Sequence, residues 1–243
     1  MNPTTLNLLA VSVFAFTMLS LVGPLFNISP GAVAIALSGT AGIIAIDRFG
    51  AQGRGGNILI DLVSRQSSEY RQRVLYHEAG HFLVAHLLDI PVQRYTLSAL
   101  EATKAGVPGL GGVVLDTAAI EDELITGTLS AQQVNRYCIL WMAGIAAETQ
   151  IYGSAEGGED DQTKLRLLWQ QTQRTAAADT QVRWALLQAQ TLIEKQKDAY
   201  NALVEAMSER ASVESCIQAI EANRAEADRV EADRAEADRA DNP

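Results

Sequence analysis

The sequence predicts a mainly α-helical domain with a small β element, carried behind an N-terminal transmembrane helical hairpin. Three observations lead there. Residues 1–46 contain no Asp, Glu, Lys or Arg, apolar residues recur at helical spacing through most of 130–220, and only two short stretches, Val92 to Ser98 and Gly112 to Asp116, alternate as strands do. The 243 residues suffice for one domain of ordinary size with accessory segments, and a hydrophobic content of 48% is enough for a core.

The charge-free stretch holds two apolar runs, Leu6 to Val22 and Gly31 to Ile46. Each is close to the roughly 17 residues that mark the short end for crossing a bilayer. Between them, Ser29 is suited to cap the second helix, and Pro30 suits its first position, where a missing N–H costs nothing. A cleaved signal peptide would open on a basic region, whereas Met1 to Leu6 has no Lys or Arg. Arg48, Arg54 and Arg65 all follow the second run. The positive-inside rule therefore places the rest of this integral membrane protein in the cytoplasm; a hairpin returns the N-terminus to the same side, whereas a single span places it outside, and the short second run fits either topology.

Four organisational segments follow. Residues 1–47 form the membrane anchor. Residues 48–66 read as a juxtamembrane linker, because Asp47 to Gly56 packs four glycines and two arginines into ten positions. Residues 67–220 form the folded domain. In it, a helix is expected from about Ser67 to Asp89, ended by Pro91, followed by the two strands as a small hairpin-like sheet with a Gly/Pro turn at 106–112. Ser130 then opens a helix with Gln133 at capping-box spacing; Val134, Cys138, Trp141, Met142, Ile145 and Ala146 share its core face. The acidic stretch 153–162 breaks that run, and two or three amphipathic helices are expected from Thr163 to about Ile220. Residues 221–243 repeat a five-residue unit, EANRA, EADRV, EADRA and EADRA. Five residues turn a helix by about 140° net, so no packing stripe forms and a solvated tail is expected.

Charge and cysteine usage narrow the function classes. A net charge of -10 with no Lys/Arg cluster excludes nucleic-acid binding. Cys138 and Cys216 lie far apart in apolar runs and read as buried free thiols.

All three histidines fall within ten residues, and His77-Glu78-Ala79-Gly80-His81 is an H-E-x-x-H motif on the expected helix. Spacing of i and i+4 sets both imidazoles on one face, so that two nitrogens reach one Zn²⁺ at about 2.0–2.1 Å. Glu78 is then placed to take a proton from water and return it to a leaving amine, the chemistry of peptide-bond hydrolysis. His86 lies about 180° and 140° round the helix from His77 and His81 and points elsewhere. A metzincin site would need Gly and His where Val84 and Leu87 stand. Glu69, Arg71 and Arg73 precede the motif within two turns, which excludes an intramembrane site.

Taken with the segments that follow it, the motif resembles the peptidase domain of the FtsH family of membrane-bound, ATP-dependent zinc proteases. Ala143-Gly144-Ile145-Ala146-Ala147-Glu148, with Ile151-Tyr152-Gly153, is similar to that family's AGRxAEExxxG segment, and Gly157-Gly158-Glu159-Asp160-Asp161 falls where the family has TGAxND. The resemblance implies Asp161 as third zinc ligand; Glu159, Asp160 and Glu148 carry the same chemistry. It also implies that an extended substrate lies along the strand at Gly111, Gly112, Val113 and Val114. A ring-like homo-oligomer, or association with FtsH-type subunits, is implied as well.

No G-x-x-x-x-G-K-[ST] phosphate loop occurs in this sequence, so ATP binding by this chain is not expected. The resemblance is thus to the ATPase-lacking relatives of photosynthetic lineages, in a cell membrane or a thylakoid-type membrane. The implied activity is a zinc-dependent endopeptidase for unfolded or exposed protein or peptide segments. The missing ATPase also fits a non-proteolytic partner of FtsH-type complexes.

Overall fold

In a computed structural model of the chain, the described residues are 3–26, 29, 31–36, 38, 39, 42, 67–106, 111–117, 120, 123, 125, 126, 129–172 and 177–224. The helices with defined bounds are α1 (Pro3–Val22), α2 (Ser68–Leu87), α3 (Ala99–Lys104), α4 (Ala131–Tyr152), α5 (Glu159–Gln171), α6 (Ala178–Lys195), α7 (Lys197–Ser208) and α8 (Val213–Asn223). Strands β1 (Val92–Thr96) and β2 (Gly112–Leu115) form a two-stranded sheet. The chain divides into two units, residues 1–70 with 98–111, and residues 71–97 with 112–243.

In the first unit, α1 is apolar on every side. Phe14 and Leu21 of α1, and Leu25 in the 3-10 turn that follows it, are 66%, 71% and 81% exposed, a surface that water penalises. The Thr17 hydroxyl donates to the Val13 carbonyl at 2.8 Å, so this polar group is satisfied within the helix. Among the described residues, one helical stretch, Leu9–Phe26, is long and apolar enough to cross a membrane. The expected second span falls largely outside the described residues. Its described positions are helical, and Ser29 Oγ accepts the Ala32 N–H at 3.2 Å, the cap read from the sequence. The linker 48–66 lies outside the described residues, as does the expected tail 221–243 except for 221–224, where α8 continues to Asn223 past the expected domain end at 220.

In the second unit, α2 runs to Leu87 and is closed by a turn in which Asp89 adopts φ 52° and Ile90 N–H reaches the Ala85 carbonyl at 2.9 Å. Pro91 then forbids continuation. β1 pairs with β2 antiparallel, Tyr95 opposite Val113 and Thr96 opposite Gly112. The link between the strands, which belongs to the first unit, differs from the expected hairpin turn, because it contains α3. Ser98, read as the end of a strand, is instead its N-cap, accepting the Glu101 N–H at 3.1 Å, and the S-x-x-E spacing is the signal that was overlooked.

α4 lies at the centre of this unit. Ser130 Oγ accepts the Gln133 N–H at 3.1 Å, and Gly153 closes the helix in the left-handed region at φ 77°. From Tyr137 to Glu148 every residue except Trp141 is buried, because α4 is covered on more than the single face expected. Among the described residues four helices follow, where two or three are expected. The first starts at Glu159: residues 153–158 break the helical run as expected, and Glu159, Asp160 and Asp161 stand in the opening turn of α5, where carboxylates meet the positive end of the helix dipole. Phe82 and Leu83 of α2, Leu140 and Met142 of α4, Leu165 of α5, Ile193 of α6, Leu203 and Met207 of α7 and Ile220 of α8 are fully buried in one core.

α2 crosses α4 at Gly80. A Cβ built there would lie 2.6 Å from the Ala143 carbonyl oxygen and 2.8 Å from Ala147 Cβ. The crossing therefore requires glycine for space, not for backbone freedom. Gly80→Ala is expected to lower the unfolding free energy by about 1–3 kcal/mol through overpacking, although alanine is the better helix former. Equilibrium urea unfolding checks this, and an unchanged or raised midpoint would contradict the crossing.

Candidate metal centre

His77 and His81 occupy successive turns of α2 on the face turned toward α4 and α5. Their Nε2 atoms are 3.1 Å apart. Asp161, in the first turn of α5, brings Oδ2 to 3.5 Å from His77 Nε2 and 3.4 Å from His81 Nε2. Two ligands held at the distances usual for zinc, at a tetrahedral angle, are separated by about 3.3 Å. The three atoms thus outline one face of a coordination tetrahedron, and this His77, His81 and Asp161 group can hold a metal ion.

The far nitrogens are fixed as well. His81 Nδ1 donates to the Leu140 carbonyl at 2.9 Å, and His77 Nδ1 lies 2.8 Å from Glu148 Oε1. Each contact selects the tautomer that directs the Nε2 lone pair into the triangle. Asp161 Oδ1 accepts from Lys164 Nζ at 2.9 Å, leaving Oδ2 turned toward the histidines.

The four acids named from the sequence separate. Asp161 joins the histidines. Glu148 is 2% exposed and sits behind His77 rather than beside the ligand atoms, so it is an orienting group and not the third ligand. Its carboxylate also accepts the N–H groups of Glu156 at 3.0 Å and Gly157 at 3.3 Å. Glu159 and Asp160 are exposed on the first turn of α5, outside the group. His86 points away, as its helical position requires, and its Nε2 meets Glu221 Oε1 at 2.5 Å.

Glu78 is 9% exposed, and its Oε2 accepts the Val113 N–H at 3.0 Å. That amide belongs to β2 opposite Tyr95 but points away from β1, so the outer edge of β2 faces the candidate centre. Of the strand residues expected to meet substrate, Val113 is thereby placed against Glu78. A Cβ on Gly112 would come within 3.7 Å of the same carboxylate oxygen, while Gly111 and Val114 flank this pair along the chain.

Glycine makes the space for these contacts. A Cβ on Gly144 would lie 2.3 Å from His77 Nε2, and one on Gly158, where φ is 93°, would lie 2.3 Å from Ile145 Cγ1. Sequence reading missed Gly144 and Gly158 as determinants of the centre, because two helices and a turn converge on His77 only in the folded chain.

Electrostatics follow from the geometry. Burial disfavours the His77 imidazolium, but hydrogen bonds to Asp161 and Glu148 and the charge of Glu78 outweigh it, raising the pKa from 6.5 to about 10. Burial likewise opposes ionisation of Asp161, yet the charge of His81, hydrogen bonds from both histidines and the charge of Lys164 hold it well below the usual carboxylate range. For Glu148, burial is again overcome, by the hydrogen bond from His77 and the backbone N–H groups of Glu156 and Gly157, and the pKa is lowered. A proton on His77 therefore satisfies the surrounding carboxylates.

No family model matches the chain, and no curated protein is significantly similar to it.

Two outcomes are expected. Because His77 holds its proton up to about pH 10, a divalent cation must displace it. Uptake near neutral pH should release about one proton per ion, and affinity should rise with pH. Calorimetry in buffers of different ionisation enthalpy measures this, and the absence of proton release would contradict it. Gly144→Ala should weaken cation binding by more than about tenfold by displacing His77, with helix content by circular dichroism preserved.

Proposed function

We propose that the chain is a membrane-anchored zinc endopeptidase of the FtsH-peptidase type that works without an ATPase of its own. The observation that carries this reading is the ligand triangle of His77, His81 and Asp161, with sides of 3.1, 3.4 and 3.5 Å, next to the Glu78 carboxylate. Two imidazoles and one carboxylate are a donor set of the kind found in zinc hydrolases, and H-E-x-x-H on α2 supplies both imidazoles and the base from five residues.

A zinc ion held by these groups supplies Lewis acidity and makes water nucleophilic near neutral pH. Glu78 is the general base: it takes the proton of the attacking water and delivers it to the departing amine nitrogen. The Val113 amide holds Oε2 of that carboxylate, so the base is oriented by the strand along which substrate would lie. An extended segment adding to the outer edge of β2, near Gly111, Gly112, Val113 and Val114, would bring its backbone past Glu78, because main-chain pairing sets the register of an added strand. Without an unfolding motor, such an edge selects unfolded, flexible or exposed segments. The apolar Leu9–Phe26 stretch and the arginines that follow the apolar region support a membrane anchor with this domain on the cytoplasmic side.

Glu78→Gln removes the base while keeping the ligands. Cleavage of an unfolded protein such as casein should fall by about 10²- to 10⁴-fold, with cation content near that of wild type. Asp161→Ala should lose both cation and cleavage. Equal, chelator-insensitive cleavage by wild type and Glu78→Gln, or none by a zinc-loaded wild-type chain, would overturn the assignment.

A further inference from the structure

Arg73 stands one turn before His77 on α2 and is not itself a ligand. Its guanidinium lies 4.1 Å above the Tyr152 ring, and its Nη1 donates to the Ser154 carbonyl at 3.3 Å. The same nitrogen is 3.6 Å from Glu148 Oε2, and Nη2 is 3.6 Å from Glu156 Oε1. With a side chain only 12% exposed, Arg73 thus reaches the last turn of α4, the 153–158 turn and the carboxylate that orients His77.

That turn carries Asp161 to the histidines, yet its composition argues against rigidity of its own. Gly153, Gly157 and Gly158 are half of its six residues, and glycine loses the most conformational freedom on ordering. Something must offset that loss, or Asp161 would sample positions remote from His77 and His81. Glu148 holds the turn from inside through the N–H groups of Glu156 and Gly157. Arg73 holds it from α2, the helix that bears both histidines. Its planar fork donates to the Ser154 carbonyl and pairs with two carboxylates while stacking on an aromatic ring, which a lysine ammonium cannot reproduce.

We propose that Arg73 is a positioning residue for the metal centre, clamping the 153–158 turn and Glu148 to α2 so that Asp161 meets the two histidines at ligand spacing. This rests on the metal reading above, and the test separates the two. The full chain, purified in detergent, is titrated with Co²⁺ while the visible d–d absorption is followed. The wild-type chain is compared with Arg73→Met, Glu148→Gln and the double variant.

Arg73→Met is expected to bind Co²⁺ about tenfold more weakly, with an altered d–d band, as for the loss of other outer-shell supports. Because both residues hold one turn, the double variant should lose less than the two single losses combined. Wild-type affinity and band shape in Arg73→Met, or fully additive losses in the double variant, would overturn the proposal while leaving the metal reading intact. If Arg73→Met does not fold, Arg73→Lys, which keeps the charge without the fork, replaces it; weakened binding supports the clamp and undiminished binding overturns it. A wild-type chain that takes up no Co²⁺ removes the metal reading, and this inference with it.

Discussion

The contact between Glu148 and His77 organises the second unit around the candidate centre. A carboxylate that is 2% exposed inside a run of apolar residues is costly to bury unless its oxygens are fully engaged. Glu148 is engaged on two sides, by the His77 ring and by the N–H groups of Glu156 and Gly157. One group therefore sets the rotation of a ligand on α2 and the path of the turn that delivers another ligand on α5. Helix α4, which contributes no ligand, is the frame against which all three are aligned. It supplies the Leu140 carbonyl to His81, and Glu148 and the absent side chain of Gly144 to His77.

Close approach is the second constraint. Gly80 lets α2 settle against Ala143 and Ala147, and Gly144 leaves room for the His77 ring one residue further along α4. Side-chain volume at either position would separate the helices and carry the histidine nitrogens away from Asp161. The apolar core and the polar centre thus share one packing solution, since Phe82 and Leu83 beside the motif are fully buried while His81 keeps its carbonyl partner.

Much of this was legible in the residues, for identifiable reasons. H-E-x-x-H fixes both side-chain identity and angular position, so two imidazoles on one face of α2 follow from helix geometry alone. Ser29 and Ser130 announce helix starts through local hydrogen bonds, and both do cap in the fold. Pro91 announces a stop in the same way. What escaped depends on distant partners. Glu148 was readable as a carboxylate near the motif, but which side of His77 it would take depends on the depth at which α4 crosses α2. Arg73 was read only as a charge that kept the motif out of the membrane, because no local pattern marks a guanidinium that will be enclosed by Tyr152 and the 153–158 turn. Two departures are local: α3 follows Ser98, whose spacing to Glu101 is that of a capping box, and α5 starts at Glu159 rather than Thr163, because only 153–158 of the acidic stretch breaks the helical run.

The separation of the ligands along the chain has a mechanical consequence. His81 and Asp161 are separated by seventy-nine residues that include both strands, α3 and the whole of α4. An ion gripping both would act as a reversible cross-link across that loop, restricting the unfolded chain far more than the folded one. Its loss would be felt first at the glycine-rich hinge of α5 and least at the buried face of α4. The residues that could hold the ion would thereby make metal supply a determinant of how long the chain resists unfolding and degradation.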